Sequence, residues 1–214
     1  FDANTGVWSY ALDQTKADVL TDGEPATDTL TVTSYDGTDS HDIIVNIIGS
    51  NDAAVISGDT GGTLIEDSGP TLASGVLTVS DADSGENSFQ AAAPGDLAGT
   101  YGDFTFIEST GAWSYTLDNG RLATDSLPDG EVVHDTLTVS SADGTTQNID
   151  ITITGSNDNA TINVVSGEYA VVEAGGIANG TAGDPSASGT LAVSDVDSGE
   201  GIFQTPGDLS GTYG

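Results

Sequence analysis

Hydrophobic residues in this chain fall on alternate positions. In WSYTL, Trp113, Tyr115 and Leu117 share one face. In DTLTVS, Leu137 and Val139 point one way and the threonines the other, and in NIDITIT the isoleucines Ile149, Ile151 and Ile153 repeat the arrangement. A period of two marks a half-buried strand. Strands are expected near Ala54–Ser57, Thr63–Glu66, Val76–Ser80, Asp103–Ile107, Trp113–Leu117, Val133–Ser140 and Asn148–Thr154, with turns at STG, PDG and ADG. No segment carries a helical stripe. About seven short strands in about 100 residues fit an all-β, immunoglobulin-like sandwich. An up-and-down barrel of similar strand count is the rival architecture; a linear array of repeats favours sandwiches, whose termini lie at opposite ends.

The pattern recurs. TGVWSYALD at 5–13 returns as TGAWSYTLD at 110–118, and LTDGEPATDTLTVTSYDGT at 20–38 returns as LPDGEVVHDTLTVSSADGT at 127–145. GSNDAA becomes GSNDNA, LTVSDADSGE becomes LAVSDVDSGE, and PGDLAGTYG becomes PGDLSGTYG. From Asn51 to Asn157 the shift is 106 residues, an ordinary domain length. The chain therefore reads as the C-terminal half of one repeat (1–50), a complete repeat (51–156) and the N-terminal half of another (157–214). Phe1 matches Phe106 and Gly214 matches Gly102, so the chain is expected to be a piece of something longer.

Charge changes the picture. There are 34 Asp plus Glu against 2 Lys plus Arg, a net charge of -32. Lys16 and Arg121 cannot balance such a load, and self-repulsion of this size opposes compaction. Either the acids spread over a well-solvated surface or cations neutralise some of them. A nucleic-acid partner needs a basic footprint that is missing. No stretch is long and apolar enough for a membrane helix. With no Cys, disulfide staples are excluded. Catalysis finds no support: His41 and His134 occupy different positions of the repeat, no Ser-His-Asp spacing recurs, and GDTGGT lacks the Lys and helix of a phosphate loop.

The acids, by contrast, recur in phase. SND stands in the linker (Asn51, Asp52; Asn157, Asp158), IED or VEA in the next strand (Glu66, Asp67; Glu173), and DADSGE or DVDSGE after the following one (Asp81, Asp83; Asp195, Asp197). Later turns carry Asp36 and Asp143. Calcium takes six to eight oxygen ligands. In Asp-x-Asp at a strand end, residues i and i+2 share a face and aim two carboxylates together. Asp, Asn, Ser and Gly also build turns unaided. The joint recurrence of linker, strand and Asp-x-Asp in so acidic a chain points to Ca2+. It is not an EF-hand: the twelfth position from Asp81 is Ala92 and from Asp195 is Pro206, where a bidentate Glu is required.

The blocks GTYGxFTF, TGxWSYTLD, LxDGExxxDTLTVxSxDGTTQ and ITITGxND, in that order, resemble the VCBS-type repeats of very large bacterial surface and secreted proteins, many of them adhesins. Those repeats look cadherin-like, and cadherins bind calcium between domains. By that resemblance Asn51, Asp52, Glu66, Asp81 and Asp83 form one site, and Asn157, Asp158, Glu173, Asp195 and Asp197 the next. GSND departs from the cadherin linker by placing Gly-Ser where its first Asp stands, and Ala174 replaces Asp67 in the third repeat. The resemblance implies a non-enzymatic extender, extracellular or at the cell surface, whose partners are neighbouring repeats. Two other readings stay open. One is a filament of copies joined head to tail through their half-repeats. The other is a module gripping a surface glycan or protein.

Overall fold

The structure is a computed structural model describing residues 1–213, so Gly214 lies outside the described residues. Its strands are β1 (Pro25–Thr33), β2 (Ser40–Ile48), β3 (Val55–Gly58), β4 (Gly61–Ile65), β5 (Leu72–Ser80), β6 (Gly102–Ile107), β7 (Ala112–Leu117), β8 (Val132–Ser140), β9 (Thr146–Thr154), β10 (Thr161–Gly167) and β11 (Gly189–Ser194). Among the described residues, two single α-helical turns, α1 (Gln14–Ala17) and α2 (Leu122–Asp125), and one 3-10 turn, Ile177–Asn179, interrupt them. Four residues are too few to leave a periodic stripe in the sequence.

All seven strands expected between 51 and 156 are present. They form two sheets, ordered β3-β5-β7-β6 and β4-β9-β8. Consecutive strands β3 and β4 lie in different sheets, which gives a sandwich rather than a barrel. Residues 1–50 supply the hairpin β1-β2, and residues after 156 supply the pair β10-β11. By backbone contacts the chain falls into two compact units. One comprises Phe1–Gly62, Leu72–Thr116 and His134–Ile151; the other comprises Thr63–Thr71, Leu117–Val133 and the chain from Thr152 onward.

In the first unit the alternation becomes a core. Leu77, Trp113, Tyr115 and Phe104 are buried on one sheet, and Leu137, Val139, Ile149 and Ile151 on the other. The indole Nε1 of Trp113 donates to the Asp59 carbonyl at 2.8 Å. The Phe104 and Tyr115 rings meet edge to face with centroids 4.7 Å apart. Tyr115 drives its hydroxyl into the core and donates it to Asp135 at 2.6 Å. Asp135 also accepts the Thr100 and Tyr101 amides, each at 2.9 Å. A buried carboxylate is tolerated only when so satisfied, and this one ties the GTYG loop to DTLTV. The pair recurs in residues 1–50, where the Tyr10 hydroxyl donates to Asp28 at 2.5 Å.

Strand β5 starts four residues earlier than the apolar alternation indicates. It pairs antiparallel with β7 from Leu72↔Thr116 to Val76↔Ala112, which sets Gly75 opposite Trp113. A Cβ on Gly75 would lie 2.8 Å from indole ring atoms. Glycine is kept there for space, and it is that residue which hides the strand from a hydrophobicity pattern.

In the second unit, β10 and β11 pair antiparallel from Thr161↔Ser194 to Gly167↔Gly189, with a bulge between Val164 and Ser166. Beyond β10 the chain bends through the bridge Val172↔Asp184 and a tight turn closed by Gly175 and Thr181.

Candidate metal centre

Two gatherings of acids form, one in each unit, on a common plan. In the first unit, β3 pairs with β5 so that Val55 faces Ser80. This antiparallel pairing carries the linker ahead of β3 to the loop beyond β5. There the Asp52 amide donates to Asp83 Oδ2 at 2.8 Å, and the Asp83 amide donates to Asp81 Oδ1 at 2.9 Å. The Ser84 amide reaches the Val19 carbonyl, just past α1, at 3.1 Å. Asp18, Asp52 and Asp81 line one groove. Asn87 Oδ1 accepts the Asp81 amide at 2.6 Å, and Asp143 Oδ2 accepts the Ala54 amide at 3.0 Å.

In the second unit, β4 runs to the end of β9, where the Glu66 amide donates to the Thr154 carbonyl at 2.9 Å. Its carboxylate Oε2 accepts the Ser156 amide at 3.2 Å. The Asp158 amide donates to Asp197 Oδ2 at 2.8 Å, and the Asp197 amide to Asp195 Oδ1 at 3.1 Å. The Ser198 amide reaches the Ser126 carbonyl, just past α2, at 3.1 Å. Carboxylate oxygens of Glu66, Asp125 and Asp158 all lie within 4.8 Å of one another.

Like charges so close repel, and burial sharpens the effect. Burial first, then Asp158, Asp67 and Asp197, push the Glu66 carboxyl up to about 7, against the pull of the Ser156 amide. Asp158 is raised by burial and by Asp125, Asp197, Asp67 and Asp195. In the first gathering Glu86 is raised by burial and by Asp83, Asp81, Asp143 and Asp22. Asp143 moves the other way, well below the usual carboxylate range, chiefly through the Ser141 hydroxyl and then the Ala54 amide.

Hydrogen bonds leave part of each gathering unsatisfied. Buried oxygens without a donor are Asp81 Oδ2, Asp83 Oδ1 and Glu86 Oε2 in one, and Glu66 Oε1, Asp158 Oδ2 and Asp197 Oδ1 in the other. Orphaned buried carboxylate oxygens are costly, and protein cations do not answer them. Lys16 sits 3.5 Å from Asp13 and Arg121 3.3 Å from Asp118, both on neighbouring turns. The donor set is all oxygen and anionic, which fits a hard divalent cation.

The grouping expected for Glu66 needs correction. It joins Asp158 and Asp197 rather than Asp52, Asp81 and Asp83. The reason is strand direction: β4 leads away from the 51–54 linker and delivers Glu66 beside the end of β9, where the 156–158 linker begins. Glu173, its counterpart, is exposed beside Val172 and Ala174 and belongs to neither gathering among the described residues. Asn51 is exposed in its linker, and Asn157 donates to the Asp158 carbonyl at 2.6 Å. The sequence reading missed Asp18 and Asp125, which the helical turns bring in. Their signal was present, since each stands two residues before a leucine in ADVL and TDSL.

No curated protein matches the chain. Among solved structures it is similar to protocadherin gamma B2 extracellular cadherin domains 1–5, at 14% identity and a TM-score of 0.39, covering 82% of this chain and 38% of that one. It is also similar to domains 3–6 of protocadherin gamma B2, at 16% identity and a TM-score of 0.29, covering 59% of this chain and 31% of that one. The chain thus spans well under half the length of either. Residues 51–155, which span the seven strands of the sandwich, match the bacterial cadherin-like domain.

Proposed function

We propose that this chain is a non-enzymatic extender segment of a bacterial extracellular protein, akin to VCBS-type adhesin repeats, with calcium bound at its inter-repeat joints. One observation carries the reading. Each gathering joins a linker, an Asp-x-Asp loop and the helical turn of the preceding sequence repeat, and each keeps buried carboxylate oxygens that no donor satisfies. On this reading the repeats are residues 51–156 and the two halves flanking them. The first joint uses Asn51, Asp52, Asp81 and Asp83, joined by Asp18 and Glu86. The second uses Glu66, Asp125, Asn157, Asp158, Asp195 and Asp197. Glu173 then serves the far end of its own repeat, where Ala174 in place of Asp67 leaves one carboxylate fewer.

Calcium would supply positive charge at a point where several backbone-anchored carboxylates converge. The chain's own part is to hold those oxygens in place. Asp83 and Asp197 grip the linker amides of Asp52 and Asp158, so the ligands are positioned by the joint they brace. Calorimetric titration is expected to show calcium binding at about 10⁻⁴ to 10⁻³ M, the usual range of extracellular modules. Absence of binding heat at either joint would overturn the reading.

A further inference from the structure

The two Asp-x-Asp loops can be laid over one another. DADSGENSF at 81–89 and DVDSGEGIF at 195–203 differ at three positions: Ala82 against Val196, Asn87 against Gly201, and Ser88 against Ile202. Each follows directly on its strand, β5 or β11. Their backbones close with the same bonds. The Glu86 amide donates to the Asp83 carbonyl at 3.4 Å, and the Ser88 amide to the Glu86 carbonyl at 2.7 Å. In the other loop the Glu200 amide donates to Asp197 at 3.2 Å and the Ile202 amide to Glu200 at 2.6 Å. Gly85 and Gly199 both turn in the left-handed region, at φ 88° and 87°. The same closure in two different surroundings means that the shape is set within the loop.

One bond is not shared. Asn87 Oδ1 accepts the Asp81 amide at 2.6 Å and so ties the first aspartate of the loop to its far end. Gly201 has no side chain to offer the Asp195 amide. The space for one is there: a Cβ on Gly201 would meet nothing closer than the Asp195 amide nitrogen, 3.9 Å away. The Gly201 backbone lies outside the left-handed region, so a side chain can be carried there. The consequence falls on the ligands. Asp81 Oδ1 accepts the Asp83 amide and Asp83 Oδ2 the Asp52 amide, so an anchored Asp81 fixes the rest of the run. Asp195, Asp197 and Asp158 repeat that run without its anchor. Without calcium the carboxylates repel, and an unanchored loop samples conformations that binding must then remove.

We propose that the residue at 87 and 201 is a positioning residue that tunes the calcium affinity of its joint. Asn87 pre-forms the first Asp-x-Asp loop. Gly201 leaves the second slack, so the second joint takes calcium less readily than its carboxylates allow. The side chain acts through the first aspartate of its loop, because its oxygen is engaged by that residue's amide. One position thus adjusts a joint without adding or removing a carboxylate. The inference rests on the calcium reading of the joints.

The test uses the full chain with one joint silenced at a time. In an Asp81→Asn/Asp83→Asn background, calorimetric calcium titration reports the second joint. There Gly201→Asn should tighten binding roughly three- to tenfold, the worth of one hydrogen bond. Gly201→Ala stiffens the loop but brings no acceptor, and should give much less. In an Asp195→Asn/Asp197→Asn background, Asn87→Gly should weaken the first joint by a similar factor. Amide hydrogen exchange in chelator, followed by NMR, reads the anchor without calcium. Gly201→Asn should slow exchange at Asp195 and Asn87→Gly should speed it at Asp81, each several-fold. Equal tightening by Gly201→Ala and Gly201→Asn overturns the hydrogen-bonded anchor. Calcium binding that neither Asn87→Gly nor Gly201→Asn alters overturns the inference and leaves the calcium reading standing. Absence of binding heat at both joints of the unsubstituted chain overturns the calcium reading and this inference with it.

Discussion

A glutamate exposed to water gives up its proton near pH 4.5; Glu66 holds its own until about pH 7. Between those values the calcium-free folded chain keeps a proton that the unfolded chain releases. Stability therefore falls as pH rises through this window, and the contribution is whole only below about pH 4.5. A shift of this size corresponds to at most about 3 kcal/mol. Asp158, raised by burial and then by Asp125, Asp197, Asp67 and Asp195, acts in the same direction. Melting in chelator from about pH 4 to pH 8 should show the decline. Glu66→Gln should flatten it and make the calcium-free protein more stable at neutral pH. The same variant should weaken calcium binding at the second joint, since a neutral amide replaces a charged ligand. A variant that keeps the full pH slope would place the titration elsewhere.

Strands and loops divide the work between folding and joining. Trp113 fills the core through the gap at Gly75 and donates to Asp59. Trp113→Ala should cost about 3 to 5 kcal/mol, as for other buried aromatics. Trp8→Ala, on the open face, should cost the isolated chain under about 1 kcal/mol. Denaturant melts of both variants check the contrast, and equal losses would show that Trp8 is covered in solution. The loop after β5 has a different task. Asp81→Asn with Asp83→Asn retains acceptors for the Asp52 and Asp83 amides while removing two charges. The central sandwich should therefore melt as before, while the first joint loses its calcium response. Calorimetry and small-angle scattering of the double variant test this. Collapse of the sandwich would mean that these acids serve the fold.

On the scale of the whole chain, a net charge of -32 sets acids against one another. Diffuse screening and site binding are separable. Sodium chloride at matched ionic strength shields exposed carboxylates but cannot bridge oxygens buried a few ångströms apart. Calcium at about 100 times its Kd adds roughly 2.7 kcal/mol for each site that binds only the folded state. The melting temperature in about 10 mM calcium should therefore exceed that in chelator with matched salt. Scattering should also report a narrower range of dimensions, because a bridged linker samples fewer conformations. Equal melting in the two buffers would remove calcium from the account.

Much of the architecture was legible because alternation is local. Each inward residue of WSYTL, DTLTVS and NIDITIT needs only its own strand's pleat to choose a face. The repeat likewise shows in direct comparison, and with it the pairing of acids by phase. The early start of β5 was hidden because Gly75 leaves room for Trp113, a residue nearly forty positions away. The single turns α1 and α2 were too short to register, and with them went Asp18 and Asp125. Sequence fixed which acids recur, but not which ones meet. That depends on strand direction, which sends Glu66 to the 156–158 linker and Asp83 to the 51–54 linker. Only the tertiary structure could decide it, because antiparallel pairing brings together ends of strands that are far apart along the chain.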